Sequence, residues 1–331
     1  MSGGVEYAAH GVVPAGANPA TARFAADVQY YLTLDPRQLP SRYLYDALGS
    51  ALFEAICCLP WYRITRAECR LLAAHGAELF RLAESPSTLV ELGPGNGTKL
   101  RLLLDAAGPL RSTVHVHLVD ISSTALGSAA AAVGAASDVL VSVHAASYEE
   151  GLNDALRASS PGRTLVLFLG SNIGNFDPPA AAAFLDSIRR NLRDGDALLL
   201  GTDLVKPERE LLLAYDDPLG VTAAFNRNLL VRVNRELDGD FKVERFAHQA
   251  VWDPVASKVE MHLVARRAQR VRIRAAGIDL AIGSRERIWT ESSYKYRQDE
   301  VAEYLQRARF RVAAQWTDRS DQFALTLGEA V

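Results

Sequence analysis

The sequence predicts an α/β protein whose main domain is a doubly wound, largely parallel sheet, accompanied by a second, smaller α+β domain. Three observations carry this. Between residues 88 and 203 short apolar runs alternate with amphipathic stretches of about ten residues, which is how parallel strands and their covering helices read. The apolar runs at 164–170 and 197–201 each end in glycine, as buried strands entering a tight turn do. After Asp203 the spacing changes to two helical patterns followed by period-two alternation, so the α/β order is interrupted there and resumes only near the C-terminus.

Taken in order, residues 1–19 are rich in Gly and Ala, with neither a basic n-region nor an apolar h-region, and read as a flexible leader rather than a signal peptide. Residues 24–60 mix tyrosines with polar groups and hold one short helix at 49–58. An amphipathic helix at 66–82 sets Leu71, Leu72, Leu79 and Phe80 against Arg66, Glu68, Arg70 and Glu78. Strands then follow at 88–92, 114–120, 139–143, 164–169 and 197–203, separated by helices at 98–107, 123–133, 148–158 and 178–192. Right-handed crossovers make these one parallel sheet. Helices at 208–215 and 220–237 open the interruption, and strands at 241–252, 258–265 and 270–273 alternate as antiparallel strands do, ending near Trp289. A helix at 298–308 and strands at 310–317 and 323–327 close the chain. The expected organisation is a leader (1–20), a substrate domain (21–65 plus 206–295) and a main domain (66–205 plus 296–331).

Composition narrows the function. The chain has 331 residues, 49% apolar and 23% charged, which is ordinary for a globular protein. Lys plus Arg number 36 against 39 Asp plus Glu, a formal net charge of −3, with no long run of one sign to grip phosphate backbones. No apolar run approaches the roughly 20 residues of a membrane-spanning helix. Cys57, Cys58 and Cys69 have neither a CxxC spacing nor a histidine partner, so a reduced, cytoplasmic protein without a structural zinc or disulfides is expected. Nucleic-acid and membrane partners are not expected.

The first strand of the main domain runs into Glu91-Leu92-Gly93-Pro94-Gly95-Asn96-Gly97-Thr98-Lys99. Glycines at such a turn let a ligand approach the backbone, and the following helix points free N–H groups at it. The second strand ends in Asp120, placed to accept hydrogen bonds from ribose hydroxyls. The acidic start of the turn resembles the E/D-x-G-x-G-x-G motif of methyltransferases that use S-adenosyl-L-methionine (SAM), which favours SAM over a nicotinamide cofactor. The fourth strand ends in Gly170-Ser171-Asn172-Ile173-Gly174-Asn175, at the carboxyl edge where open α/β sheets bind ligands.

Tyr45-Asp46-Ala47-Leu48-Gly49-Ser50-Ala51-Leu52-Phe53, Leu59-Pro60-Trp61-Tyr62, Thr65-Arg66-Ala67-Glu68, Gly201-Thr202-Asp203-Leu204-Val205-Lys206, Ala214-Tyr215-Asp216-Asp217, Gly220-Val221-Thr222-Ala223-Ala224-Phe225-Asn226-Arg227-Asn228 and Thr290-Glu291-Ser292-Ser293-Tyr294-Lys295-Tyr296 complete a pattern. Together these segments resemble the histidine Nα-methyltransferases of ergothioneine biosynthesis, from about residue 30 to the C-terminus. The resemblance implies a Rossmann-like class I methyltransferase sheet and a substrate domain made by the N-terminal segment and the insertion. It implies SAM as cofactor, S-adenosyl-L-homocysteine as product, and three successive methylations of the histidine α-amine to hercynine, with no metal; a monomer is expected, although the sequence does not fix the oligomeric state.

By that resemblance Gly93, Lys99, Asp120 and Gly170 belong to the SAM site, and Ser147 and Tyr148 occupy the place of an acidic–aromatic pair that serves adenine. Asn175 and Tyr215 would hold the α-carboxylate and amine, Tyr62, Glu291 and Ser293 the imidazole, and Met261 would pack on it. Tyr45 would relay the amine proton as the catalytic residue. A site that bonds both imidazole nitrogens rejects analogues lacking them. The sequence departs from the family at Ser147, where Asp is usual, at Asn172 for Thr, and at Ile64 for Pro. His115, His117, His144 and His248 read as structural, and His262 is expected to face away from Met261. Methylation of another amino acid such as tryptophan, a non-catalytic sensor of SAM or histidine, and nicotinamide-dependent oxidation remain as competing readings.

Overall fold

The computed structural model describes residues 19–108, 114–134, 139–159 and 161–331. Helix α1 (Pro19–Thr33) and the short strand β1 (Arg37–Gln38) precede α2 (Ala47–Cys58) and α3 (Ile64–Leu82). The alternating part comprises β2 (Thr88–Leu92), α4 (Thr98–Ala107), β3 (His115–Asp120), α5 (Ser123–Gly134), β4 (Leu140–Ala145), α6 (Tyr148–Ala158), β5 (Thr164–Phe168), α7 (Pro178–Asn191) and β6 (Ala197–Asp203). Then come α8 (Glu208–Tyr215), α9 (Val221–Leu237), β7 (Phe246–Asp253), β8 (Lys258–Ala265), β9 (Gln269–Ile273), β10 (Ile278–Ile282) and β11 (Arg287–Tyr294). The chain closes with α10 (Gln298–Arg307), β12 (Phe310–Asp318) and β13 (Phe323–Ala330).

The leader expected at 1–20 lies outside the described residues except for Pro19 and Ala20, which open α1. Helix α1 itself was not expected; it buries Phe24, Val28 and Leu32, four residues apart on one face. The strand expected from 241 begins at Phe246, because 243–245 form a 3₁₀ turn. Two further strands, β10 and β11, occupy the region that the alternation left undivided.

The described residues divide into two compact units: 19–53, 216–251 and 260–291 form one, and those of 54–215, 252–259 and 292–331 form the other. The larger unit is built on a seven-stranded sheet in the order β12-β13-β6-β5-β2-β3-β4. Strands β6 to β4 in that order pair in parallel, and β13 pairs antiparallel with both β6 and β12. β2 is followed to one side by β3 and β4, and to the other by β5 and β6, so the topology switches direction between β2 and β5. The carboxyl ends of the strands at such a switch are the usual ligand position in open α/β sheets. Val90, Leu92, Val166, Phe168, Leu198 and Leu200 pack on Phe184, Leu185 and Ile188 of α7 and on Val301 and Leu305 of α10. This buried slab holds the strand ends, and hence the turns that follow them, in fixed register.

The smaller unit contains most of a four-stranded sheet, β1-β11-β8-β7, and the β9–β10 hairpin. Helix α9 buries Phe225, Leu229, Leu230, Val233 and Leu237 along one face. Asp46 ties its N-terminal part together, accepting from the backbone N–H of Gly49 at 2.7 Å and from Asn228 at 2.7 Å, with Arg235 paired at 2.6 Å. Burial alone would raise this carboxyl's pKa, but the ion pair and these hydrogen bonds hold it below the usual value.

Candidate active site

In the larger unit the turn after β2 is closed by the N–H of Gly93 donating to the carbonyl of Val119 at 2.8 Å, which joins it to the end of β3. Gly93 and Gly170, at the ends of β2 and β5, both have positive φ. A Cβ on Gly93 would stand 3.0 Å from the Tyr148 hydroxyl and 3.1 Å from the Asn172 amide; one on Gly170 would stand 3.0 Å from Lys99 Nζ and 3.6 Å from Asn172 Oδ1. Gly93, Lys99, Tyr148 and Gly170 therefore converge at the switch point. Asn172 lies among them, beside the two glycine turns.

Gly97 has a different duty. Its φ is +75°, and a Cβ there would meet the Ala129 backbone of α5 at 3.0 Å. The early position of this third glycine thus serves the approach of α4 to α5.

Glu68, fully buried on α3, organises the same place. Its carboxylate accepts from the Gly170 N–H at 2.9 Å and from Lys99 Nζ at 2.9 Å. Burial alone would lower the Lys99 pKa, but the Glu68 carboxylate outweighs it and keeps the ammonium charged. Glu91, the acidic start of the turn, is also fully buried, and among the described residues neither of its oxygens has a hydrogen-bond partner. Burial pushes its carboxyl up to about 8, with Lys99 lowering it and Glu68 raising it, so it is mainly protonated at neutral pH.

Asp120, at the end of β3, accepts from the Ser122 N–H at 2.8 Å, and burial raises its pKa against that bond. Ser147 is the N-cap of α6: its hydroxyl donates to Glu150 at 2.8 Å and accepts from the Glu150 N–H. Its donor is thus engaged, and its second lone pair is what it can offer an amino group. Tyr148 packs edge-on against Phe168, with centroids 5.5 Å apart, and burial raises its pKa.

A second group forms where β6 ends. The backbones of Asp203 and Val205 exchange hydrogen bonds with Tyr296 at 3.0 Å each, so the 295–296 segment is zipped onto the end of β6. The Asp203 N–H donates to Ser171 at 2.9 Å, tying in the loop after β5. Lys295 thereby reaches Asp203 at 3.0 Å and donates to the Tyr215 and Ser293 hydroxyls at 2.8 Å each, while Tyr215 bonds Ser293 at 2.7 Å. The Tyr62 ring stands edge-on to Tyr215 with centroids 6.4 Å apart. Asn175 is exposed at the end of a 3₁₀ turn, 172–175, whose Gly174 abuts this strand: a Cβ there would lie 2.7 Å from the Tyr294 carbonyl. Tyr62 thus packs on Tyr215, which bonds Ser293, and the Asn175 turn packs beside Tyr294 of the same strand.

Tyr45, Met261 and Glu291 belong to the smaller unit. Tyr45 is flanked by the rings of Phe53 and Phe225, each with centroids 5.5 Å away. Met261 is buried in β8, and its carbonyl accepts from the Thr290 hydroxyl at 2.9 Å, which sets β8 beside the part of β11 carrying Glu291. His248 bonds Asn226 at 2.9 Å and His262 bonds Glu260 at 3.0 Å. In the larger unit's sheet His117 bonds His144 at 2.9 Å, and burial followed by the neighbouring imidazoles lowers His117 to about 4. Among the described residues no three His, Cys, Asp or Glu side chains come together as metal ligands. The sequence reading missed Lys295 and Asp203 and left Glu68 without a role, although all three stood in the quoted motifs.

Residues 24–330 match the family described as histidine-specific, SAM-dependent methyltransferases. The histidine N-alpha-methyltransferase of Mycolicibacterium smegmatis is 42% identical over 312 residues, covering 94% of this chain and 96% of that protein. Its namesake from Mycobacterium tuberculosis is 42% identical over 91% of this chain and 93% of its own length. Ergothioneine biosynthesis protein 1 of Neurospora crassa is 29% identical over 85% of this chain, which spans 32% of that longer protein. The chain belongs to the histidine-specific, SAM-dependent methyltransferase family.

Proposed function

We propose that the protein transfers three methyl groups in succession from SAM to the α-amine of L-histidine, giving hercynine, the trimethylated betaine of the ergothioneine pathway. Family membership across nearly the whole chain carries this reading. SAM, when bound, supplies an electrophilic methyl on a positively charged sulfur. The chain's part is to hold both partners and manage one proton per transfer.

Gly93, Lys99, Gly170 and Tyr148 form a cradle in which two glycines leave room that a Cβ would fill, so the residues present fit a nucleoside-bearing cofactor. Asp120 suits the ribose hydroxyls, and the Ser147 oxygen an adenine amino group. In this reading Tyr62, Asn175, Tyr215, Met261, Glu291 and Ser293 bind histidine. A carboxylate at Glu291 answers an imidazole N–H, which favours histidine over a purely apolar side chain. An amine is mainly protonated near neutral pH and must lose a proton before it can act as a nucleophile; Tyr45 relays that proton. Most of the acceleration then comes from orientation and the exclusion of water. We further propose that the smaller unit is chiefly a substrate domain and that the protein works as a cytoplasmic monomer; Cys57, Cys58 and Cys69 are free thiols, and no described helix is long and apolar enough to cross a membrane.

The test is incubation of the purified protein with SAM and a panel of histidine, its mono- and dimethyl forms and tryptophan, with products read by mass. Successive methyl additions to histidine alone support the reading. Methylation of tryptophan instead overturns the substrate, and the absence of turnover on every member overturns the activity.

A further inference from the structure

Three aromatic rings meet within the smaller unit. The Tyr45 centroid stands 5.5 Å from those of Phe53 and Phe225, and these two stand 6.0 Å apart. The Tyr45 plane crosses theirs at 75° and 64°, and theirs cross at 41°, so the rings turn their faces different ways instead of stacking into one slab. Phe225 is buried on the face of α9 that carries Leu229, whereas Tyr45 and Phe53 are only half-buried. A triangle of these sides has a circumradius of about 3.3 Å, so a point about 3.8 Å above its plane lies about 5 Å from all three centroids, inside the roughly 6 Å reach of a cation–π contact. In the same unit the Arg42 guanidinium stands 5.0 Å from the Tyr43 centroid and that of Arg232 stands 5.2 Å from Phe24, the same separation.

The three segments that bear the rings are tied by one carboxylate. Asp46, next to Tyr45, accepts at 2.7 Å from Asn228, about one turn beyond Phe225 on α9, and at 2.7 Å from the N–H of Gly49, about one turn before Phe53 on α2. A Cβ on Gly49 would fall on the Leu44 carbonyl, so glycine is what lets α2 begin this close to the Tyr45 segment. Walls fixed in this way lose little freedom when a ligand arrives.

The chemistry of successive methylation says what such walls would hold. In each transfer the amine lone pair forms the new N–C bond, the pair of the breaking C–S bond returns to sulfur, and the positive charge passes to nitrogen. Each transfer also exchanges an N–H for a methyl, and the trimethylated group has no hydrogen left to donate. Hydroxyls and amides therefore lose their hold on the head as methylation proceeds, while aromatic faces keep theirs. We propose that Tyr45, Phe53 and Phe225 form an aromatic site for the methylated ammonium head, binding the N-methylated intermediates and the trimethylammonium product in preference to the unmethylated amine. The inference rests on the functional reading above, which makes the product a trimethylammonium. It gives the Tyr45 ring a duty separate from that of its hydroxyl, and gives Phe53 and Phe225 a place in the site.

The experiment compares wild type with Phe53→Leu, which removes one ring, and with Phe53→Tyr and Tyr45→Phe, which keep all three. L-histidine, hercynine and a neutral isostere of hercynine, with tert-butyl in place of trimethylammonium, are titrated by calorimetry in the presence of S-adenosyl-L-homocysteine. The methylation of histidine by wild type is measured first, and its failure would sink the functional reading, and this proposal with it, before any variant is made. An unfolding midpoint within about 3 °C of wild type shows that a variant is folded. Phe53→Met guards against collapse of the leucine variant.

In Phe53→Leu and Phe53→Met hercynine should bind about fivefold or more weakly, while histidine binding changes by less than about twofold. Phe53→Tyr and Tyr45→Phe should hold hercynine within about twofold of wild type. Wild type should prefer hercynine to its neutral isostere by about tenfold or more, and loss of the ring should shrink that preference. With histidine in excess over SAM, the leucine variant should also release more mono- and dimethylhistidine per hercynine than wild type does. A folded variant lacking the ring that holds hercynine as wild type does, or that loses histidine and hercynine equally, overturns the proposal. So does a wild type that binds the neutral isostere as tightly as hercynine.

Discussion

Glu91 gives the fold a pH dependence opposite in sign to that of a carboxylate held ionised by ion pairs or hydrogen bonds, as Asp46 is. The carboxyl lies in the middle of the parallel sheet, between Leu118 and Leu167 on the flanking strands, fully buried and without a hydrogen-bond partner among the described residues. Burial pushes its pKa from 4.5 to about 8, Lys99 opposing and Glu68 adding to the rise. Between those values the folded protein keeps a proton that the unfolded chain has released. Its contribution to stability is therefore fully present below pH 4.5 and is lost as the pH rises through 8. At about 1.4 kcal/mol per pKa unit, the full swing is on the order of 5 kcal/mol, of which about 4 falls between pH 5 and pH 8.5. Glu91→Gln keeps the size and neutrality of the protonated acid but cannot ionise. Urea unfolding of both proteins across that range, followed by circular dichroism, isolates the Glu91 contribution, because every other titration cancels in the difference. The variant should gain on wild type steadily with pH, by about 4 kcal/mol over the range. A difference that stays flat within about 1 kcal/mol, or that falls with pH, would refute the assignment of Glu91 as a buried neutral acid.

Three further outcomes follow from the site. Glu68→Gln leaves Lys99 without its carboxylate in a desolvated place, so S-adenosyl-L-homocysteine affinity should fall about tenfold or more by calorimetry; unchanged affinity would separate Lys99 from the cofactor. Gly174→Ala puts a methyl 2.7 Å from the Tyr294 carbonyl. That overpacking should cost about 1–3 kcal/mol in urea unfolding and raise the Michaelis constant for histidine. Tyr45→Phe should lower kcat by about tenfold to a hundredfold while histidine binding stays within about threefold; equal turnover by the two proteins would remove Tyr45 from the proton path.

The main sheet was readable because its central strands are buried on both faces and its helices are short, so each of these elements carries a complete local signal. All five residues of β2 and of β5 are buried, and such runs cannot be confused with an exposed segment. Helix α1 shows the contrary case. Its core contacts are three residues, Phe24, Val28 and Leu32, and its start adjoins a Gly- and Ala-rich segment that dilutes the pattern. The start of the strand expected from 241 moved for a related reason: Phe241 is buried, which extends the apolar alternation, but the backbone turns at 243–245 before the ladder begins. Periodicity reports which residues are inside and is silent on where the backbone bends between them.

The site was legible to a different depth. Turn glycines announce themselves, since Gly93 and Gly170 need positive φ whatever surrounds them. Lys295 and Asp203 do not, because a lysine or aspartate reads as solvated until its partner is known, and here the partners are 92 positions apart. Nothing in the local pattern around Lys295 forecasts complete burial. What decides it is the zipping of residues 295–296 onto the end of β6, a parallel pairing formed only once β11 has returned from the insertion. The same logic applies to Glu68, whose partners Lys99 and Gly170 come from two separate turns of the sheet. A buried charge is tolerable only where several long-range contacts converge on it, so its function and its illegibility have one cause.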